Sequence, residues 1–206
     1  MCFNLFAQEL DSRYVLSGGV AHIGNGEIIE NSTIIIDKGK IVAIGPSSSV
    51  IINKKRAKVY DVTGKNIYPS LILPNTTLGL VEIDAVRASR DYKEIGGVNP
   101  NIRSLIAYNT DSKLAKTVRS NGVLIAQVTP RGGLISGQSS IMHLDGNNWE
   151  DAVIKSDDGI HLNWPNSYNS TGWWAEPGET KENKEYQTKI YELEDLFSRA
   201  NSTSPI

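Results

Sequence analysis

Cysteine is nearly absent from this 206-residue chain: Cys2 stands alone at the N-terminus. A single thiol excludes an intrachain disulfide and a Cys-based zinc site. Histidine is scarce too, with His22, His143 and His161 only. No apolar run approaches the ~18 residues that a membrane-spanning helix needs, so no membrane span is expected. The net charge is −2, and the densest basic run, Lys54-Lys55-Arg56, is three residues long. Phosphate backbones are bound by clustered Lys and Arg, so nucleic acid is not expected as a partner. The short basic run reads as a solvated turn. Gly-x-Ser-x-Gly is missing, which removes a nucleophile elbow.

What is present fits a globular chain, with 39% apolar and 21% charged residues. The first residues, MCFNLFAQ, resemble the tail of an export signal, or else an unstructured start. The first reading implies an exported or periplasmic protein, the second a cytoplasmic one. Asn-x-Ser/Thr sequons at Asn31, Asn75, Asn169 and Asn201 would be acceptors only in a secretory compartment.

Residues 13–68 read as β structure. Short β-branched runs at 14–16, 20–23, 33–36, 40–44 and 58–62 are separated by Gly, Asn and Ser. Asp37-Lys38-Gly39 predicts a hairpin. The pattern then lengthens. Residues 70–73 form a continuously apolar strand, suited to a parallel sheet buried on both faces. Asn99-Pro100 predicts a helix to about residue 108, with Ile102, Leu105 and Ile106 on one face. Asp111 is the expected cap of a second helix, stopped by Asn121-Gly122. Residues 123–128 are a second apolar strand, completing a βαβ crossover. A Gly- and Ser-bearing β segment spans 134–144. Asp157-Asp158-Gly159 predicts a turn, and 163–174 reads as irregular. A helix over 181–200 presents Tyr186, Ile190, Leu193 and Phe197 on one face.

The order of these pieces strongly resembles the amidohydrolase superfamily, in particular its imidazolonepropionase-like branch. The sandwich hairpin I-x-x-G-K-I-x-x-I-G of that family reads here IDKGKIVAIG, residues 36–45. The barrel-entry motif D-x-x-G-K-x-x-x-P-G-L-I-D-x-H-x-H-L-G-L reads DVTGKNIYPSLILPNTTLGL, residues 61–80. NGVLIAQVTP and GLISGQSSIMHLDG resemble the family's next two β segments. The resemblance implies an α/β protein in three parts: a tail at 1–12, part of a composite β-sandwich at 13–68, and the first units of an incomplete TIM-type (β/α) barrel at 69–206. It also implies a metal-dependent hydrolase of C–N bonds other than peptide bonds, such as those of cyclic amides.

Two departures qualify that expectation. The family's two metal-binding histidines fall on Asn75 and Thr77. Zinc or another divalent metal activates water in the family, but an amide oxygen and a hydroxyl are weak neutral ligands. No metal or other cofactor is therefore expected in this chain. Secondly, roughly 140 residues follow position 68, room for about three of the eight βα units of a barrel. The chain reads as a truncated N-terminal half, inactive alone, completed by a second chain or by a homo-oligomer.

The candidate catalytic residues are His161, beside Asp157 and Asp158, and the alternating carboxylates Glu82 and Asp84. Arg131, Gly132, Gly133 and Ser136 are candidates for substrate binding, since glycines let backbone approach a ligand and Arg131 can pair with a carboxylate. His22 and His143 read as structural. Trp164, Tyr168, Trp173 and Trp174 suggest a packing patch or a stacking platform for sugars. A non-catalytic relative and an aromatic-rich binding module for sugars or peptides are the alternatives to a hydrolase.

Overall fold

The computed structural model describes residues 13–52 and 57–203. The expected tail at 1–12 and the Lys54-Lys55-Arg56 turn lie outside the described residues. The chain divides into two compact units, with the boundary between Ser70 and Leu71.

In the first unit, β1 (Arg13–His22), β2 (Ile28–Asp37) and β3 (Lys40–Pro46) form an antiparallel meander. The runs at 14–16 and 20–23 join into one strand, because Gly18 and Gly19 pass between them as a bulge. Gly18 has φ 91, and a Cβ there would lie 2.3 Å from Thr63 Oγ1. The bare backbone lets the next strand close in. That neighbour is interrupted: β4 (Lys58–Asp61) and β5 (Asn66–Ile67) both run parallel to β1. The hairpin at Lys38-Gly39 forms with φ 49 and 73 at its two central residues. Two positive φ values are the type I′ pattern whose twist matches the strands. Val15, Ala21, Ile34 and Ile35 are the buried apolar residues of this sheet.

In the second unit, β6 (Leu71–Thr76) and β7 (Val123–Val128) pair in parallel, with α1 (Lys113–Ser120) in the connection. The predicted βαβ crossover is therefore present. β8 (Ile135–His143) and β9 (Val153–Leu162) extend the sheet antiparallel, in the order β6-β7-β8-β9. α2 (Trp149–Ala152) links β8 to β9. β10 (Tyr168–Ser170) and β11 (Thr180–Glu182) pair as a ribbon before α3 (Tyr186–Thr203). The architecture is mixed α/β, with several sheets and few helices. One core holds the sheet: Leu78, Leu80, Leu105, Tyr108, Val128 and Met142 cluster with Leu73 and Val118 packed against them.

Several local expectations change. The helix from Asn99 does not form; only a 3₁₀ turn, Ser104–Ala107, is present. The backbone there is committed to β8 instead. Asn99 N–H donates to Ile135 O (2.9 Å), and Gln138 N–H donates to Ile102 O (2.7 Å). Leu105 alone of the predicted face is fully buried, while Ile106 is exposed. The cap of α1 is Ser112, not Asp111: its Oγ accepts from Ala115 N–H at 3.3 Å. Asn121 and Gly122 end α1 as read from sequence. The strand at 70–73 is not buried on both faces, since Leu71 and Ile72 are both more than half exposed at the sheet edge. Residues 181–182 pair with β10 rather than opening the last helix. On α3, Leu193 is buried as predicted, but Phe197 is exposed and Leu196 is the half-buried residue beside it.

Candidate functional site

The C-terminal end of β6 carries Asn75, with Thr77 just beyond it, and the segment after β7 carries Arg131. Asn75 interrupts β6 with φ 50. Asparagine is one of the few side-chain-bearing residues that tolerates this left-handed backbone. The register shifts there, between Leu73 and Thr76. The guanidinium of Arg131 donates to Asn75 Oδ1 and, through Nη2, to Asn75 O at 2.6 Å. Asn75 N–H donates to Gln127 Oε1 (3.2 Å), and Gln127 Nε2 donates to Asp158 Oδ2 (2.9 Å). Lys155 Nζ completes the chain at 2.8 Å from Asp158 Oδ1.

A bulge in β9 makes this network. Between the pairs Ser139↔Gly159 and Ile141↔Lys155, β8 advances two residues and β9 four. The predicted Asp157-Asp158-Gly159 turn is thus a bulge inside one strand, with Asp157 at φ 50. Bulges re-aim side chains, and here the two neighbouring aspartates part. Asp157 leaves for Arg103, bidentate at 2.8 and 2.7 Å. Asp158 turns toward Gln127, and the Lys155 ammonium with the Gln127 amide holds its carboxyl below the ordinary range.

His161 sits within the field of this group, partly buried. Burial pushes its imidazole below the ordinary histidine value, the Arg131 charge adds to that, and Asp158 opposes it. Acidification therefore protonates the unfolded chain first. The stability tied to His161 is complete above about pH 6.5 and falls as the pH drops below it. Arg131→Gln is expected to raise the His161 pKa and Asp158→Asn to lower it, read from the ring Cε1–H signal in an NMR titration. No response to Arg131→Gln would break the assigned link.

The other predicted site residues fall elsewhere. Thr77, Glu82 and Asp84 come together with Thr76 and Tyr92 around a cleft of about 380 Å³. Glu82 Oε1 accepts from Asn109 Nδ2 at 3.0 Å. Ser136 is buried, and its Oγ accepts from Asn163 Nδ2 at 2.7 Å; the same amide donates to Gly133 O at 2.9 Å. Gly132 and Gly133 both have positive φ, and a Cβ on Gly133 would lie 2.7 Å from Gly97 O. These residues shape the loop behind Arg131. His22 stacks on Tyr68 at 4.2 Å in the first unit, and His143 O accepts from Tyr108 Oη at 3.3 Å. Trp173 and Trp174 meet edge-to-face at 5.4 Å, and Trp174 is 89% exposed.

Gln127 and Lys155 are the members of the network that sequence reading missed. Gln127 left a signal, a polar residue inside the apolar run VLIAQV. Lys155 left none, because its pairing depends on the β9 bulge.

No family model matches the sequence, and no curated protein matches it. Among solved structures, the chain is similar to an amidohydrolase from Thermotoga maritima, with a TM-score of 0.67 and 18% identity. The match covers 74% of this chain and 39% of that protein, so the chain spans well under half of its length. At this identity the likeness is one of fold. A prolidase complexed with N-methylphosphonate-L-proline gives a TM-score of 0.36 at 24% identity, over 55% of this chain and 25% of its own, a score too low to imply a common fold.

Proposed function

We propose that the chain is the N-terminal portion of an amidohydrolase-like hydrolase, of the imidazolonepropionase-like branch, acting on C–N bonds other than peptide bonds. In this reading β6 and β7 are the first strands of an incomplete TIM-type barrel, and residues 13–68 belong to its composite β-sandwich. The observation that carries it is the polar network at the C-terminal ends of two parallel strands, where α/β folds place their chemistry. The fold likeness to an amidohydrolase over 74% of the chain supports it.

The residues present do not fit the divalent metal of that family. Asn75 Oδ1 is already engaged by the Arg131 guanidinium. A divalent ion ~4 Å from that fixed charge meets roughly 8 kcal/mol of repulsion at an effective dielectric of about 20. Among the described residues, no three His, Cys, Asp or Glu side chains converge as ligands. Arg131 supplies a fixed positive charge at the strand ends, and the neutral His161 is the group best placed to accept a proton. The carboxylates Glu82 and Asp84 line a cleft with Thr76 and Thr77 and are, in this reading, candidates for acid–base work. The exposed edge at Leu71 and Ile72 is where a second chain, or a second copy, completes the sheet.

This reading makes the chain by itself inactive as a metal-dependent hydrolase. Dialysis against zinc followed by elemental analysis is expected to give well under one metal per chain, with no turnover of cyclic amides. Tight stoichiometric zinc, with hydrolysis lost on chelation, would refute it.

The exposed Trp164, Trp173 and Trp174 favour a second reading, an aromatic-rich binding module for sugars or peptides.

A further inference from the structure

The described arginines fall into two groups. Arg13, Arg103, Arg119 and Arg199 each pair with an aspartate, and Arg131 is held by Asn75. Arg87 and Arg90 make no side-chain hydrogen bond or ion pair with any described residue, and neither does Lys93. These three unpaired cations line one cleft of about 530 Å³, floored by Gly96 and Gly133. The acid on its wall, Glu94, turns its Oε1 back to accept from Ile95 N–H at 2.8 Å.

The cations are held in place, not scattered on a loose loop. Asp91 N–H donates to Leu80 O (2.8 Å), Glu82 N–H to Ser89 O (3.2 Å) and Arg131 N–H to Tyr92 O (2.7 Å). Ser89 Oγ lies 2.9 Å from both Ile83 O and Val86 O and braces the turn that presents Arg87 and Arg90. The Lys93 stem packs where a Cβ on Gly132 would lie, 2.7 Å away, so only glycine lets it pass. A Cβ on Gly133 would come equally close to Gly97 O. Like charges gathered on a fixed frame repel, and three cations face one wall acid, Glu94, with which none of them forms an ion pair. A concave site of this volume suits a small molecule rather than a polymer.

We infer that this cleft binds a compact multivalent anion, a small molecule carrying two or more phosphate or carboxylate groups. Arg87 and Arg90 supply forked donors that grip such groups in two-point contact, and Lys93 adds a point charge. The cleft shares backbone with the loop of Arg131, but its three cationic side chains are not members of the Asn75–Arg131 network, and the inference does not depend on the hydrolase reading.

The test uses the full chain, titrated with inorganic pyrophosphate and, in a second arm, with propane-1,2,3-tricarboxylate. NMR signals are followed at the arginine Nε–H groups and the backbone. At least one anion is expected to saturate a single site, moving Arg87, Arg90 and residues 92–96 and 133, with affinity that falls as salt rises. The tighter arm names the group recognised. The pair Arg87→Gln and Arg90→Gln is expected to cost about tenfold or more in affinity. It should leave the melting transition in place, since neither side chain has a partner to lose. Lys38→Gln with Lys40→Gln should leave affinity unchanged. Shifts that never saturate, that appear equally at Lys38 and Lys40, or that survive the arginine pair overturn the inference. Saturation by poly-glutamate alone overturns it as well.

Discussion

Gly79→Ala is expected to destabilise the second unit by about 3 kcal/mol, from two independent costs. Gly79 has φ 79, a backbone region that costs a residue with a Cβ roughly 1–2 kcal/mol. The added methyl would also lie 2.4 Å from Tyr108 Cε2 and 2.5 Å from Cδ2. The ring cannot swing away freely. Tyr108 is buried in the core cluster, and its hydroxyl donates to His143 O. Overpacking of that kind adds typically 1–3 kcal/mol. The same burial pushes the Tyr108 phenol up to about 12, so it stays protonated. In thermal melting the variant should lose about 10 °C. A loss of only a degree or two would mean that the ring relocates and that the close approach carries no constraint.

Leu105→Ala is expected to cost about 4 kcal/mol, in the upper part of the range for a buried leucine. Leu105 is 0% exposed and lies among the core residues of the second unit. The cost of such a change depends on how far the surroundings can collapse into the space. Here they are tied on both sides. Ser104 Oγ donates to Val128 O at 2.8 Å, and Gln138 N–H donates to Ile102 O at 2.7 Å. The 3₁₀ turn cannot slide inward to fill the gap without breaking them. Ile106→Ala, one residue away and 57% exposed, is the control and should cost less than about 1 kcal/mol. Equal losses for the two variants, measured by urea unfolding, would contradict the assigned core.

Legibility in the sequence followed the range of the interaction. The hairpin at Lys38-Gly39, the end of α1 at Asn121-Gly122 and the two apolar strands of the crossover were readable. Each is decided by neighbours a few positions away: a residue able to take positive φ, a cap, a predominantly apolar run. The helix expected from Asn99 failed although its start signals were sound. Its backbone groups are taken by Ile135 and Gln138, and pairing across the sheet overrode the local preference. Ser112 displaced Asp111 as a cap by one position, the usual margin of local signals.

The candidate site divides in the same way. That Asn75 and Thr77 stand where the resemblance places two histidines was plain from the sequence, as was Arg131 in its Gly-rich loop. That Arg131 holds Asn75 was not, since the two are 56 positions apart. Nor could the separation of Asp157 from Asp158 be foreseen, because a bulge is a property of two paired strands. The sequence by itself determined the strand–helix–strand crossover, the Lys38-Gly39 turn chemistry and the neutral side chains at Asn75 and Thr77, all of which are local or compositional. Only the tertiary structure decided that a guanidinium occupies Asn75, that Gln127 and Lys155 join the network, and that Arg87, Arg90 and Lys93 share a cleft. Those facts arise from chain segments brought together by strand pairing and core burial, and no single stretch of sequence contains them.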